Sequence, residues 1–155
     1  MTDLRVRRPA DKEPMVLRLA GDHEDRVFPS MRDLLVFAAV LGKAEERRVE
    51  LGRAHPDGIR VSLFDGQEHR QLIDTLAILE QPDDLEILGD DRLEDRIHIF
   101  EEYVNGGLEI LGMYLSEKAG MRAEEVIQQL VTDLLERRRP KVDIELSTLA
   151  DDLGF

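Results

Sequence analysis

The side chains of this sequence that could do chemistry are mostly carboxylates. Asp90, Asp91, Glu94 and Asp95 lie close together, and oxygens converging at a helix start suit a hard cation. Their spacing is not that of an EF-hand loop, and capping or helix-dipole roles explain the same residues without metal. Glu101 and Glu102 form an adjacent pair, which the periodicity places on the wet face of a helix rather than in a catalytic dyad. The histidines at 23, 55, 69 and 98 are far apart with no ligand-like pair. His98 follows the apolar position Ile97 and is expected at a core boundary with a satisfied hydrogen bond. HExxH, GxSxG, the P-loop and GxGxxG are all absent. There are no cysteines, which removes disulfides, thiolate zinc sites and cysteine nucleophiles together and fits a reducing compartment. The sequence therefore predicts no enzyme, no metal site and no cofactor.

Charge offers a second kind of chemistry. The 155 residues carry a net charge of −13 from 21 basic and 34 acidic side chains, and a field this negative opposes general duplex binding. Asp83 to Glu102 alone holds nine acidic and two basic residues. Two small basic clusters run against the trend: Arg5, Arg7 and Arg8 near the start, and Arg137, Arg138, Arg139 and Lys141 near the end. They serve either as helix-end and solubility charges or as local patches able to touch a few phosphates.

The elements that must position these residues are mainly helical. Hydrophobic content of 42% with 35% charged residues describes a globular chain. The longest uncharged run, Leu34 to Gly42, is nine residues, far below the roughly 18 that span a bilayer. No apolar stretch follows the basic start as in a secretory signal, so the expected location is cytoplasmic, with no membrane contact.

The strongest periodic stretch is Leu93 to Leu115. Leu93, Ile97, Phe100, Val104, Leu111 and Tyr114 recur in steps of three or four, with Gly107 in the one gap. Asn105-Gly106-Gly107 would ordinarily read as a turn, and a glycine within a helix costs about 1 kcal/mol. Because the seam continues in register beyond it, the expectation is one helix with Gly107 facing inward against another backbone. Asn105 and Gly106 then face away from the seam and become candidates for a partner contact.

Around that helix the spacing predicts others at Lys12–Gly21, Ser30–Gly42, Glu68–Glu80 and Arg122–Arg139. Ser30 is placed to cap its helix with Asp33 as capping-box partner, and Asp90 or Asp91 to cap the long one. Val49 and Leu51, then Ile59, Val61 and Leu63, alternate as strands do, with His55-Pro56-Asp57-Gly58 as a turn between them. The predicted fold is mostly α (α+β): a compact domain over 1–140 with about five helices and a small two-stranded β-hairpin. A tail over 141–155 is expected to pack on the domain, the alternative being a docking segment for a partner.

Three blocks resemble one known family. They are Arg8-Pro9 with Lys12-Glu13; Met31-Arg32-Asp33 through Phe37-Ala38-Ala39 to Leu41-Gly42; and Glu94-Asp95-Arg96 through Phe100-Glu101-Glu102-Tyr103 to Asn105-Gly106-Gly107-Leu108-Glu109-Ile110-Leu111. The chain resembles dnd system-associated protein family four, small proteins of bacterial DNA phosphorothioation loci, over most of residues 5–137. The resemblance implies an accessory of the modification machinery that puts sulfur into the DNA backbone, or of the restriction and antiphage defence that reads the mark. It implies partners among the locus's other proteins and no catalytic residues. Three functional readings stay open, the least favoured being an enzyme or metal protein built on Asp90 to Asp95. One is a non-catalytic interaction subunit, as a monomer or an oligomer. A second is a nucleic-acid-binding regulator or sensor of phosphorothioated DNA, using Arg5, Arg7, Arg8 and Arg137 to Arg139 if folding brings the two clusters together.

Overall fold

The computed structural model describes residues 3–138. Among the described residues there are five α-helices: α1 (Glu13–Ala20), α2 (Met31–Ala44), α3 (Gln67–Glu80), α4 (Leu93–Glu117) and α5 (Ala123–Arg137). A two-stranded antiparallel sheet joins β1 (Arg5–Val6) to β2 (Ile59–Arg60). The expected C-terminal tail over 141–155 lies outside the described residues.

The long helix is unbroken across Asn-Gly-Gly, and it is the enclosed centre of the fold. Every residue from Ile99 to Leu108 is buried. Its main neighbour is α2, which packs along it more extensively than any other pair of elements. The contact is reciprocal. A Cβ on Gly107 would lie 2.8 Å from the Cα of Ala38 and closer still to its carbonyl, while a Cβ on Gly42 would meet the carbonyl of Tyr103. Ala38 and Gly42, like Tyr103 and Gly107, are four apart and share a helix face. Two small residues on one helix thus face the glycine of the other, so the backbones approach more closely than larger side chains allow.

This crossing also corrects the expected end of α2. Gly42 does not stop the helix; it is used in the contact, and the helix continues to Ala44. Termination falls instead at Glu46, which adopts a left-handed φ of 50°, with Arg47 N–H donating to Gly42 O at 2.8 Å. At the other end Ser30 Oγ accepts from Asp33 N–H at 3.2 Å and donates to its carboxylate at 2.9 Å. Val40, within the uncharged run of α2, is exposed. Leu79 of α3 and Leu135 of α5 are exposed as well.

The sheet pairs differently from the expected hairpin. Ile59–Arg60 lies against the N-terminal segment, not against Val49–Leu51. The same antiparallel line continues on both sides: Val61 N–H donates to Leu4 O, His55 N–H to Arg8 O and Ala10 N–H to Arg53 O. Residues 4–10 therefore form a strap beside 53–61. The segment from Val49 attaches to α4 instead, Val49 N–H donating to Glu102 O at 3.1 Å. Past Arg60 the chain closes into a 3₁₀ turn that buries Val61 and Phe64, and Phe64 meets Phe100 edge to face at 5.7 Å.

Neither Asp90 nor Asp91 caps α4. A 3₁₀ turn over Asp90–Arg92 runs directly into the helix, and the cap position is Arg92, with no side-chain cap. A cap that no local pattern marks is found on α5. Asp25, in the loop after α1, accepts the N–H of Ala123 at 3.0 Å and the Arg18 guanidinium at 2.8 Å. The Ala123 hydrogen bond, with help from Arg18, holds the Asp25 carboxyl below its ordinary value. A depressed folded value means that the stabilisation is present at neutral pH and is lost as pH falls below about 4. Asp25→Ala is expected to lower stability by about 1 kcal/mol at neutral pH, as for other cap deletions. The variant should also lose less on acidification than the parent. Thermal melts of both proteins across the acid range check this, and parallel acid slopes would count against it.

Candidate functional site

The richest polar assembly is a stripe along α4. His98, Glu101, Glu102, Asn105 and Glu109 follow helical spacing. They lie under the N-terminal strap on one side and the segment from Arg47 on the other. Arg7 closes on Glu101 through three bonds: its backbone N–H at 2.5 Å, Nε at 3.1 Å and Nη2 at 3.0 Å. Arg48 donates Nη2 to Glu102 at 2.7 Å and Nη1 to Glu80 at 2.7 Å. The Tyr103 hydroxyl also donates to Glu80. Arg47 pairs with Glu109 through Nε at 2.8 Å.

The expectation that Glu101 and Glu102 line a wet helix face is overturned, since both are buried. Strap and loop cover them, and arginines from those two segments supply the counter-charge that a buried carboxylate requires. His98 is half exposed, with Nε2 3.3 Å from Glu102 and Nδ1 3.8 Å from Glu101.

Burial and hydrogen bonding shift several groups of this network. Burial pushes Glu80 up, but hydrogen bonds from Tyr103 and Arg48 outweigh it and hold its carboxyl below the usual range. Burial and the Glu80 contact push the Tyr103 hydroxyl well above its ordinary value. The hydrogen bond and charge of Glu101 raise Arg7. General acid–base chemistry wants groups titrating near the working pH; Glu80 and Arg7 are held charged and the Tyr103 phenol neutral.

The three residues that made the long helix ambiguous each meet a different neighbour. Asn105, expected to face a partner, is buried: its Oδ1 accepts from Lys12 Nζ and its Nδ2 donates to Glu50 O at 3.2 Å. It forms part of the floor of a recess of about 510 Å³ between Pro9–Lys12 and Val49–Arg53. Gly106 is covered by the Arg47 backbone, whose carbonyl carbon would lie 2.7 Å from an added Cβ. Gly107 meets α2. Successive helical residues point about 100° apart, so the run is small and polar because the chain closes over it from three directions.

The two basic clusters are not brought together. Arg7 and Glu101 sit at the N-terminal half of α4, whereas Arg137 lines a recess with Tyr114, about 20 Å further along the helix at its rise per residue. Arg8 is buried and closed on Glu13 at 2.8 Å, with His55 at 3.1 Å. Arg137 and Arg138 reach Glu45 at 3.6 and 3.7 Å. Arg139 lies outside the described residues. Among the acidic candidates, Asp95 is engaged by Arg92, which also reaches Asp84 at 3.3 Å. Among the described residues no three histidine or acidic side chains come together as a metal site, and no helix is long and apolar enough to cross a membrane.

Fold and site define a small, mostly helical α+β domain whose buried charges are matched internally around one enclosed helix. The chain belongs to the family described as DNA sulphur modification system-associated protein 4, whose model matches residues 5–149. That span runs beyond residue 137, where the resemblance in sequence stopped, and into the tail. The family's description associates the chain with a DNA sulphur modification system. No curated protein and no solved structure matches it.

Proposed function

We propose that this chain is a non-catalytic accessory subunit of a DNA phosphorothioation system, working by protein contact in modification or restriction. The observation that carries the reading is the internal pairing along α4. Glu101, Glu102, Asn105 and Glu109 each bind an arginine or lysine of the same chain, which leaves them satisfied as structure. Family membership supplies the system. The reading in which the arginine clusters grip DNA has less support, because Arg7, Arg8, Arg137 and Arg138 each face a carboxylate of this chain. Tagged protein purified from cells expressing the whole locus is expected to retain at least one other product of it. A chain that is consistently solitary under mild salt would overturn the proposal.

A further inference from the structure

We propose that the corner between the end of α3 and the start of α4 is a docking surface for a basic, amphipathic segment of a partner protein. The inference rests on the accessory reading for the partner's origin and on the corner itself for the partner's chemistry. Leu79, Leu85 and Leu88 are 54, 66 and 40% exposed. The last two belong to a 3₁₀ turn, Leu85–Leu88. With three residues per turn, positions 85 and 88 stack on one side, while Ile87 points inward and is 1% exposed. An outward leucine pair is therefore built into the turn, one short loop from Leu79.

The corner is held in place. Successive turn bonds run from Gln81 to Ala77, Asp84 to Gln81, Ile87 to Asp84 and Gly89 to Glu86. The buried Arg96 donates Nη1 to Ile87 O at 2.6 Å and Gly89 O at 2.8 Å, and its Nε lies 2.9 Å from Asp74 of α3. A surface fixed this way loses little entropy when a partner settles on it.

Charge selects the occupant. Asp83, Glu86, Asp90, Asp91 and Glu94 are exposed, and none forms an ion pair among the described residues, unlike their neighbours Asp74, Asp84 and Asp95. Apolar side chains beside unpaired carboxylates suit a helix carrying leucines on one face and lysine or arginine on the flanks. The same carboxylates repel nucleic acid and anionic lipid, and a second copy of a chain with net charge −13 meets that repulsion too.

The test uses the full chain and a labelled synthetic peptide with leucines at helical i, i+3, i+4 spacing and lysine and arginine between them. A second peptide has glutamate at every basic position. The basic peptide is expected to bind and to weaken as salt rises, and the acidic one not to bind. Leu85→Ser with Leu88→Ser, and separately Asp83→Asn with Glu86→Gln and Asp90→Asn, should each weaken binding about tenfold or more, with unchanged far-ultraviolet circular dichroism. Absence of binding, equal affinity for both peptides, or unchanged affinity in the leucine variant overturns the proposal. So does a leucine variant whose only effect is to change sedimentation of the free chain, which would assign the surface to a second copy. A locus complex that survives the leucine variant sinks this surface and leaves the accessory reading standing.

Discussion

Gly107→Ala is expected to destabilise the protein by about 3 kcal/mol or more, the upper range for overpacking a fixed core, which at this chain length lowers Tm by about 6–12 °C. Gly107→Leu is expected to leave no folded protein. The effect is large because of what the new methyl group meets. A Cβ at Gly107 runs into the carbonyl and Cα of Ala38, which is main chain of another helix, not a side chain that could rotate away. Either α2 moves off α4, opening the most extensive contact in the fold, or the α4 backbone distorts. Helix propensity pulls the other way, since alanine is favoured over glycine by about 1 kcal/mol in an exposed helix. The sign of the measured change therefore decides between close packing and a plain helix position. Gly112 is the control. An added Cβ there has only the Met15 sulfur at 3.7 Å, so Gly112→Ala should be neutral or stabilising. Thermal denaturation of the two variants makes the comparison, and equal shifts would remove the packing explanation.

Period and punctuation made the helices legible. All five expected helices are present, because each buries a recurring stripe that local sequence records. The long helix was readable even through Asn-Gly-Gly, since its apolar residues keep their phase on either side. What wraps around that helix was not readable. An apolar stripe tells which side of a helix is buried first, but not whether strap and loop will cover the remaining sides. Glu101 and Glu102 therefore looked solvated. Their counter-charges come from Arg7 and Arg48, 94 and 54 positions away, and no spacing rule connects such residues.

The same limit explains the strand error. Alternation at Ile59 showed an extended segment, yet alternation does not name a partner, and the N-terminal strap took the place of the nearer Val49–Leu51. One signal was available: arginines at the start of a strongly acidic chain, with carboxylates inside its longest helix, are matching halves of buried ion pairs.

The Arg7–Glu101 pair gives the second large effect, and its asymmetry is the informative part. Glu101 is 2% exposed, whereas the Arg7 side chain is half exposed. Removing the arginine leaves a carboxylate in the interior with only the strap's backbone N–H and the more distant His98 as partners. Breaking buried pairs in this way typically costs about 3–5 kcal/mol. With one partner half in water, Arg7→Ala is expected at about 2–3 kcal/mol, toward or below the lower end of that range. Glu101→Gln should cost less, because the freed guanidinium can turn to solvent and the amide keeps the shape and one acceptor. In the double variant the stranded charge is gone, so Arg7→Ala/Glu101→Gln should be more stable than Arg7→Ala alone. Denaturant unfolding of the four proteins measures this coupling directly. If the double variant is the least stable of the four and its losses are additive, Glu101 does not depend on Arg7 for its charge. The strap would then be held by its sheet bonds and apolar contacts. If the coupling is present, one ion pair fastens residues 4–10 over α4, and the arginine that looked available for phosphate serves to close the domain's own core.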